Sequence, residues 1–158
     1  MINSDKEVLL EVRGMIQEDI ELYFDSMSNL LKSEFDDWHM LNPEKFKKWL
    51  INYLPSSDVD AFVCTDGLLP VGFFIGQISS PIWSSGKMGR DILLYVIPQY
   101  RGRGISDMLI QKWIENLKLK GITMAISGYS LKSSEKHARQ AYERSGFCKL
   151  GEIYARKL

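Results

Sequence analysis

Cysteine is scarce in this chain. Only Cys64 and Cys148 occur in 158 residues, each inside an apolar, strand-like segment. Two buried reduced thiols are the expectation, not a disulfide framework and not a nucleophile. An excess of one charge is missing too. Twenty Lys and Arg offset twenty Asp and Glu, so no basic face offers a footprint for nucleic acid. No apolar run approaches the roughly 20 residues of a membrane span, and the opening MINSDKEVLLEV has no signal-peptide pattern. A cytoplasmic location is the expectation, with neither membrane nor nucleic acid as partner. Repeats, low-complexity tracts and linkers are absent as well. A hydrophobic content of 45% and a charged content of 25% are ordinary for a globular protein. The length suits a single domain over residues 1–158.

The densest signal is Asp91 to Leu119. Ile92 to Ile97 is a short, branched and aromatic run stopped by Pro98, which cannot donate to a sheet ladder. Gly102 and Gly104 follow. From Ile105 onward, Ile105, Leu109, Trp113 and Leu117 recur every four residues, which is the apolar stripe of a helix. Strand, glycine turn and helix start together make an anion site, because the first amides of a helix lack partners and sit at the positive end of its dipole. Arg101 and Arg103 can add charge-assisted contacts to a phosphate. Two common phosphate motifs are excluded. The chain has no GxxxxGK(S/T), and its GRG lacks the third glycine and later acidic residue of a dinucleotide fingerprint.

Gln99-Tyr100-Arg101-Gly102-Arg103-Gly104 resembles the Q/R-x-x-G-x-G/A signature of the GNAT superfamily of acyl-CoA N-acyltransferases. LYVIP (Leu94 to Pro98) is similar to that family's splayed central strand. Ala138, Tyr142 and Gly146-Phe147 resemble its A-x-x-x-Y-x-x-x-G-F block, in order and at family spacing. The resemblance covers at least Asp91 to Phe147. It implies acetyl-CoA as cosubstrate, with the pyrophosphate on Gln99, Arg101, Gly102, Arg103 and Gly104 and on the helix start at Ile105 and Ser106. Leu94, Tyr95 and Val96 would lie along the pantetheine arm, with the backbone of Leu94 and Val96 taking it strand-fashion.

The remaining elements suit that fold. Val8 to Val12 reads as a first strand and Ile16 to Leu31 as a helix, with Glu18 and Asp19 in its first turn. Asn42 and Pro43 are an N-cap and first residue for a helix to about Leu54. Asp60 to Thr65 and Val71 to Ile78 read as a hairpin, in which Gly72 and Gly76 suggest a bulge or a close approach. Ser79 to Arg90 reads as a polar connection. Gly121 ends the central helix, and Thr123 to Ile126 is a fifth strand. Ser133 or Ser134 can cap a last helix that stops at Gly146. A final strand or pair begins at Phe147. The expected class is mixed α/β, a central mixed sheet with helices on both faces in the GNAT order.

For catalysis the resemblance points to Tyr142 as general acid toward the sulfur of coenzyme A. A phenol, with an ordinary pKa near 10, is protonated at neutral pH. Without the motif, Tyr142 is an amphipathic helix tyrosine. Asp91 opens the central strand and is the candidate base; the alternative is a solvated strand-end carboxylate. His137 reads as a surface residue, and His39 as a loop residue or a base. Asp36, Asp37 and Trp38, beside Glu34 and Phe35, could receive a cationic amine; the plainer reading is a solvated acidic loop. Glu135 departs from the family, standing where an asparagine is usual, and Ser134 is a possible replacement. No metal site is expected. The reading is an N-acetyltransferase acting on a primary amine of a small molecule or protein by direct transfer, as monomer or homodimer. Its alternative is a non-catalytic module that binds coenzyme A or a protein partner.

Overall fold

The computed structural model describes residues 9–22, 24, 28, 42–82, 84–128 and 135–151. Its centre is a five-stranded mixed sheet in the order β1-β2-β3-β4-β5. The strands are β1 (Leu10–Gly14), β2 (Val59–Asp66), β3 (Leu69–Ser79), β4 (Met88–Val96) and β5 (Ala125–Ile126). The helices are α1 (Pro43–Tyr53), α2 (Ile105–Leu119) and α3 (Glu135–Arg144), with helical turns also at 17–22. Neighbours from β1 to β4 pair antiparallel, and β5 runs parallel to β4.

Local chemistry sets the element ends as expected. Asn42 caps α1, its Oδ1 accepting from Lys45 N–H at 2.9 Å, with Pro43 at the first position. The turn from β1 into the first helix is tied by Asp19. Its carboxylate accepts from the Ile16 amide at 2.8 Å and from both Arg13 guanidinium nitrogens at 2.7 Å. The hairpin forms with β2 and β3 in antiparallel register.

The sheet is buried on both faces. Ile20, Phe24 and Leu50 pack with Val63, Phe73 and Ile75 on one side. On the other, Ile105, Leu109, Trp113 and Leu117 of α2 pack with Phe74 and with Tyr142 of α3. That second contact is unusually close, and this explains Gly76: α2 side chains approach there, not another backbone. A Cβ on Gly76 would stand 2.7 Å from Trp113 Nε1, and one on Gly89 would stand 2.6 Å from Leu117. Gly76→Ala is therefore expected to lower stability by about 1–3 kcal/mol through overpacking. A urea melt with an unchanged slope checks it; an unshifted midpoint would show that α2 can lift off.

Three expectations are corrected. β4 begins at Met88, so Met88 to Arg90 are not a connection; they pair with Gln77 to Ser79. Gly89 faces the helix with no side chain, which hides the apolar alternation there. Residues 147–151 form no strand, and Cys148 is exposed while Cys64 is buried. Only Phe147 of that segment packs onto the core. The proposed caps Ser133 and Ser134, the stretch Glu34 to Leu41 and residues 152–158 lie outside the described residues.

One irregularity prepares the site. Ile75 pairs with Leu93 but Gly76 with Asp91, so Ile92 is an extra residue that bends β4. β5 pairs with β4 only at Gly89 and Arg90. From Asp91 onward the two strands part.

Candidate active site

Beyond the point where β5 leaves it, β4 borders a cavity of about 500 Å³, within the usual range for a small-molecule site. Leu94, Tyr95 and Val96 of β4 line one wall. The floor at one end is the glycine loop, where Gly102 and Gly104 have φ of +81° and +78°, backbone that L side chains resist. Gly104 leads directly into α2. The helix ladder begins with Met108 N–H donating to Gly104 at 3.0 Å. The amides of Ile105, Ser106 and Asp107 therefore precede any intrahelical bond at the positive helix end. These three residues line the cavity. Such a set of amides fits a phosphate group.

The loop is pinned from outside the motif. Tyr100 donates its hydroxyl to Asp66 at the end of β2 at 2.7 Å, and Arg101 Nε donates to the Val96 carbonyl at 3.0 Å. The Arg103 guanidinium lies over the Tyr100 ring at 4.7 Å. Of the loop residues named from sequence, Arg101, Gly102 and Gly104 line the cavity, whereas Gln99 and Arg103 are exposed and do not.

Helix α3 forms the opposite wall with His137, Ala138, Ala141 and Arg144. His137, read from sequence as a surface residue, is exposed yet faces this space. Asp107 would repel an anion at the helix start if left alone. Arg144 neutralises it with both oxygens held at 3.0–3.2 Å, and this pair ties α2 to α3.

At the apex of the fork, Asp91 and Tyr142 meet. The buried Tyr142 hydroxyl donates to Asp91 Oδ2 at 2.6 Å. Ser127 Oγ donates to the same oxygen at 2.9 Å, and the Gly128 amide donates to Oδ1 at 3.1 Å. Burial pushes the Asp91 carboxyl above the usual carboxylate range, partly offset by these donors and by Arg90. Burial and then the Asp91 charge push the Tyr142 phenol well above its ordinary value, so it stays protonated. Asp91 and Tyr142 lie 51 residues apart, and nothing in their spacing announced the contact. Ser127 and Gly128 carry no signal in the sequence that singles them out. Asp36, Asp37 and Trp38 fall outside the described residues.

Residues 57–149 match the model of the acetyltransferase (GNAT) domain. The chain belongs to the GNAT family. The helix-start amides and the cavity suit a phosphate-bearing cosubstrate such as acetyl-CoA. An uncharacterised N-acetyltransferase of Methanocaldococcus jannaschii is 30% identical over 145 residues, 86% of this GNAT chain and 59% of that protein. The chain thus spans somewhat under two thirds of that relative. Solved folds agree. A predicted acetyltransferase of Clostridium acetobutylicum, determined with acetyl-CoA, superposes with TM-score 0.75 at 17% identity, covering 94% of this chain and 96% of that one. An aminoglycoside acetyltransferase from an uncultured soil metagenomic sample, in complex with sisomicin, superposes with TM-score 0.69 at 16% identity over 94% and 96% of the two chains.

Among the described residues no helix is long and apolar enough to cross a membrane, and no group of side chains is arranged to hold a metal.

Proposed function

We propose that residues 1–158 form one GNAT domain that moves an acetyl group from acetyl-CoA to a primary amine of a small molecule or protein by direct transfer. The observation that carries this reading is the fork itself. One cavity joins an anion-binding helix start to the edge of β4, and Tyr142, next to the lining residue Ala141, meets the Asp91 carboxylate where the strands separate. The amides of Ile105 to Asp107 would hold the pyrophosphate. The edge of β4 at Leu94 and Val96 would take the pantetheine arm, and an amide there would stabilise charge developing on the thioester oxygen. Acetyl-CoA supplies the activated acyl group. Tyr142 would protonate the departing sulfur, and Asp91 would receive the proton lost by the amine. Direct transfer needs no cysteine carrier, and Cys64 is a poor nucleophile, buried with its thiol pushed up to about 11. Free Cys64 and Cys148 suit a reducing, cytoplasmic setting.

Thiol release from acetyl-CoA across polyamines, aminoglycosides, amino acids and peptides tests the reading, with calorimetric binding of acetyl-CoA alongside. Turnover on one class identifies the acceptor; binding without any turnover sinks the enzyme reading. Gly104→Val is expected to weaken acetyl-CoA binding at least ~10-fold. A β-branched residue at φ +78° costs about 1–2 kcal/mol or more and displaces the amides behind it. Unchanged affinity would remove the loop from the site.

A further inference from the structure

We propose that Asp91 and Tyr142 act as one proton-transfer unit, in which a proton taken up at Asp91 passes through the Tyr142 hydroxyl to the leaving sulfur, and that Ser127 orients Asp91 for it. This rests on the acetyl-transfer reading and deepens it. Treated separately, the acid and the base conflict. The phenol donates to the carboxylate at 2.6 Å, so a phenol that gave up its proton would leave a phenolate against a carboxylate. Two anions in a buried contact are strongly disfavoured. Tyr142 can therefore release its proton only as another arrives at Asp91, and the two sites titrate as a pair.

The surroundings suit that role. Asp91 is the first residue of β4 beyond its pairing with β5, so its carboxylate sits at the apex of the fork. Ser127 and Gly128, where the chain leaves β5, hold one oxygen each at 2.9 and 3.1 Å. Tyr142 and Ser127 share Oδ2, which fixes the carboxylate plane. Arg90 is the charged neighbour acting on Asp91, and Phe147 packs edge-on against the Tyr142 ring at 5.3 Å. The burial that raises the carboxyl makes it a better proton acceptor than an exposed aspartate. The balance is simple. As the C–N bond forms, Asp91 takes the N–H proton. As the C–S bond breaks, Tyr142 gives its proton to sulfur and is refilled from Asp91. One N–H is lost and one S–H gained, with no oxidant or reductant.

Asp91→Asn separates the relay from mere positioning, because an amide oxygen can still accept from the phenol but cannot carry the proton. The expected kcat is at least ~30-fold lower, with KM for acetyl-CoA within about twofold. Asp91→Asn/Tyr142→Phe is expected to be no worse than Tyr142→Phe alone. Ser127→Ala is expected to cost about 3–10-fold in kcat, and Ser127→Thr to restore it. An Asp91→Asn enzyme within about threefold of wild type, or a double variant that multiplies the two single losses, overturns the unit. A second readout needs no turnover. With ¹³C-tyrosine labelling, the Tyr142 Cζ resonance is expected to show a titration step that Asp91→Asn abolishes. Its absence in the wild-type protein overturns the unit even where turnover is seen. Its presence supports the unit even where no amine is acetylated, which separates this failure from that of the transferase reading.

Discussion

Tyr142→Phe is expected to lower kcat by ~10²–10⁴-fold, the range for a lost general acid, while acetyl-CoA binding stays within about twofold. A hundredfold loss corresponds to about 2.7 kcal/mol at the transition state. The fold should tolerate the change. Only the hydroxyl is removed, while the ring keeps its contact with Phe147 and its place in the core. Losing the phenol also leaves Asp91 with two donors, Ser127 and Gly128, so the carboxylate is not stranded. Stopped thiol release and calorimetry on the same preparation check the prediction. A variant that retains most of its kcat would reduce Tyr142 to an amphipathic helix tyrosine and leave the sulfur to be protonated by water.

The second large effect concerns stability. Trp113→Ala is expected to cost about 3–5 kcal/mol, as other large core truncations do. Trp113 is fully buried. Its ring lies 4.7 Å from Phe74 and is stacked on Phe147 at 6.4 Å. It also fills the space that Gly76 and Gly89 leave open. With a typical stability of about 5–15 kcal/mol, the variant would be marginal, and its melting temperature should fall by ~10 °C or more. A drop of only a degree or two would mean that the glycine-lined groove closes over the lost ring. The site should suffer with it, since α2 carries both this tryptophan and the phosphate-binding amides.

The helix and turn signals were legible because they are local. Asn42-Pro43, Gly104 before Ile105, and Gly146 after α3 each act through backbone within a few residues of themselves. The four-residue stripe from Ile105 to Leu117 needed only periodicity, and all of its members are buried. The start of β4 was not legible. Gly89 has no side chain to mark a face, and Arg90 is exposed, so the pairing of Met88 to Arg90 with β3 shows only in the register. Cys148 misled in the opposite direction. It follows Phe147, whose apolar character belongs to the ring on Trp113 and not to a strand.

The sequence by itself determined the elements, the glycine loop at a helix start and the identity of Asp91 and Tyr142 as the residues to watch. The elements and the loop follow from backbone preference and periodicity, which act over a few residues, whereas Asp91 and Tyr142 stood out only through the resemblance to the GNAT family. Only the tertiary structure decided that the two residues touch, that Ser127 and Gly128 join them, and that Arg144 neutralises Asp107 across the cavity. It also decided that the strands part at Asp91, because one extra residue at Ile92 and a β5 of only two residues end the pairing there. Contacts between residues tens of positions apart depend on how whole elements pack, and no local preference encodes that distance.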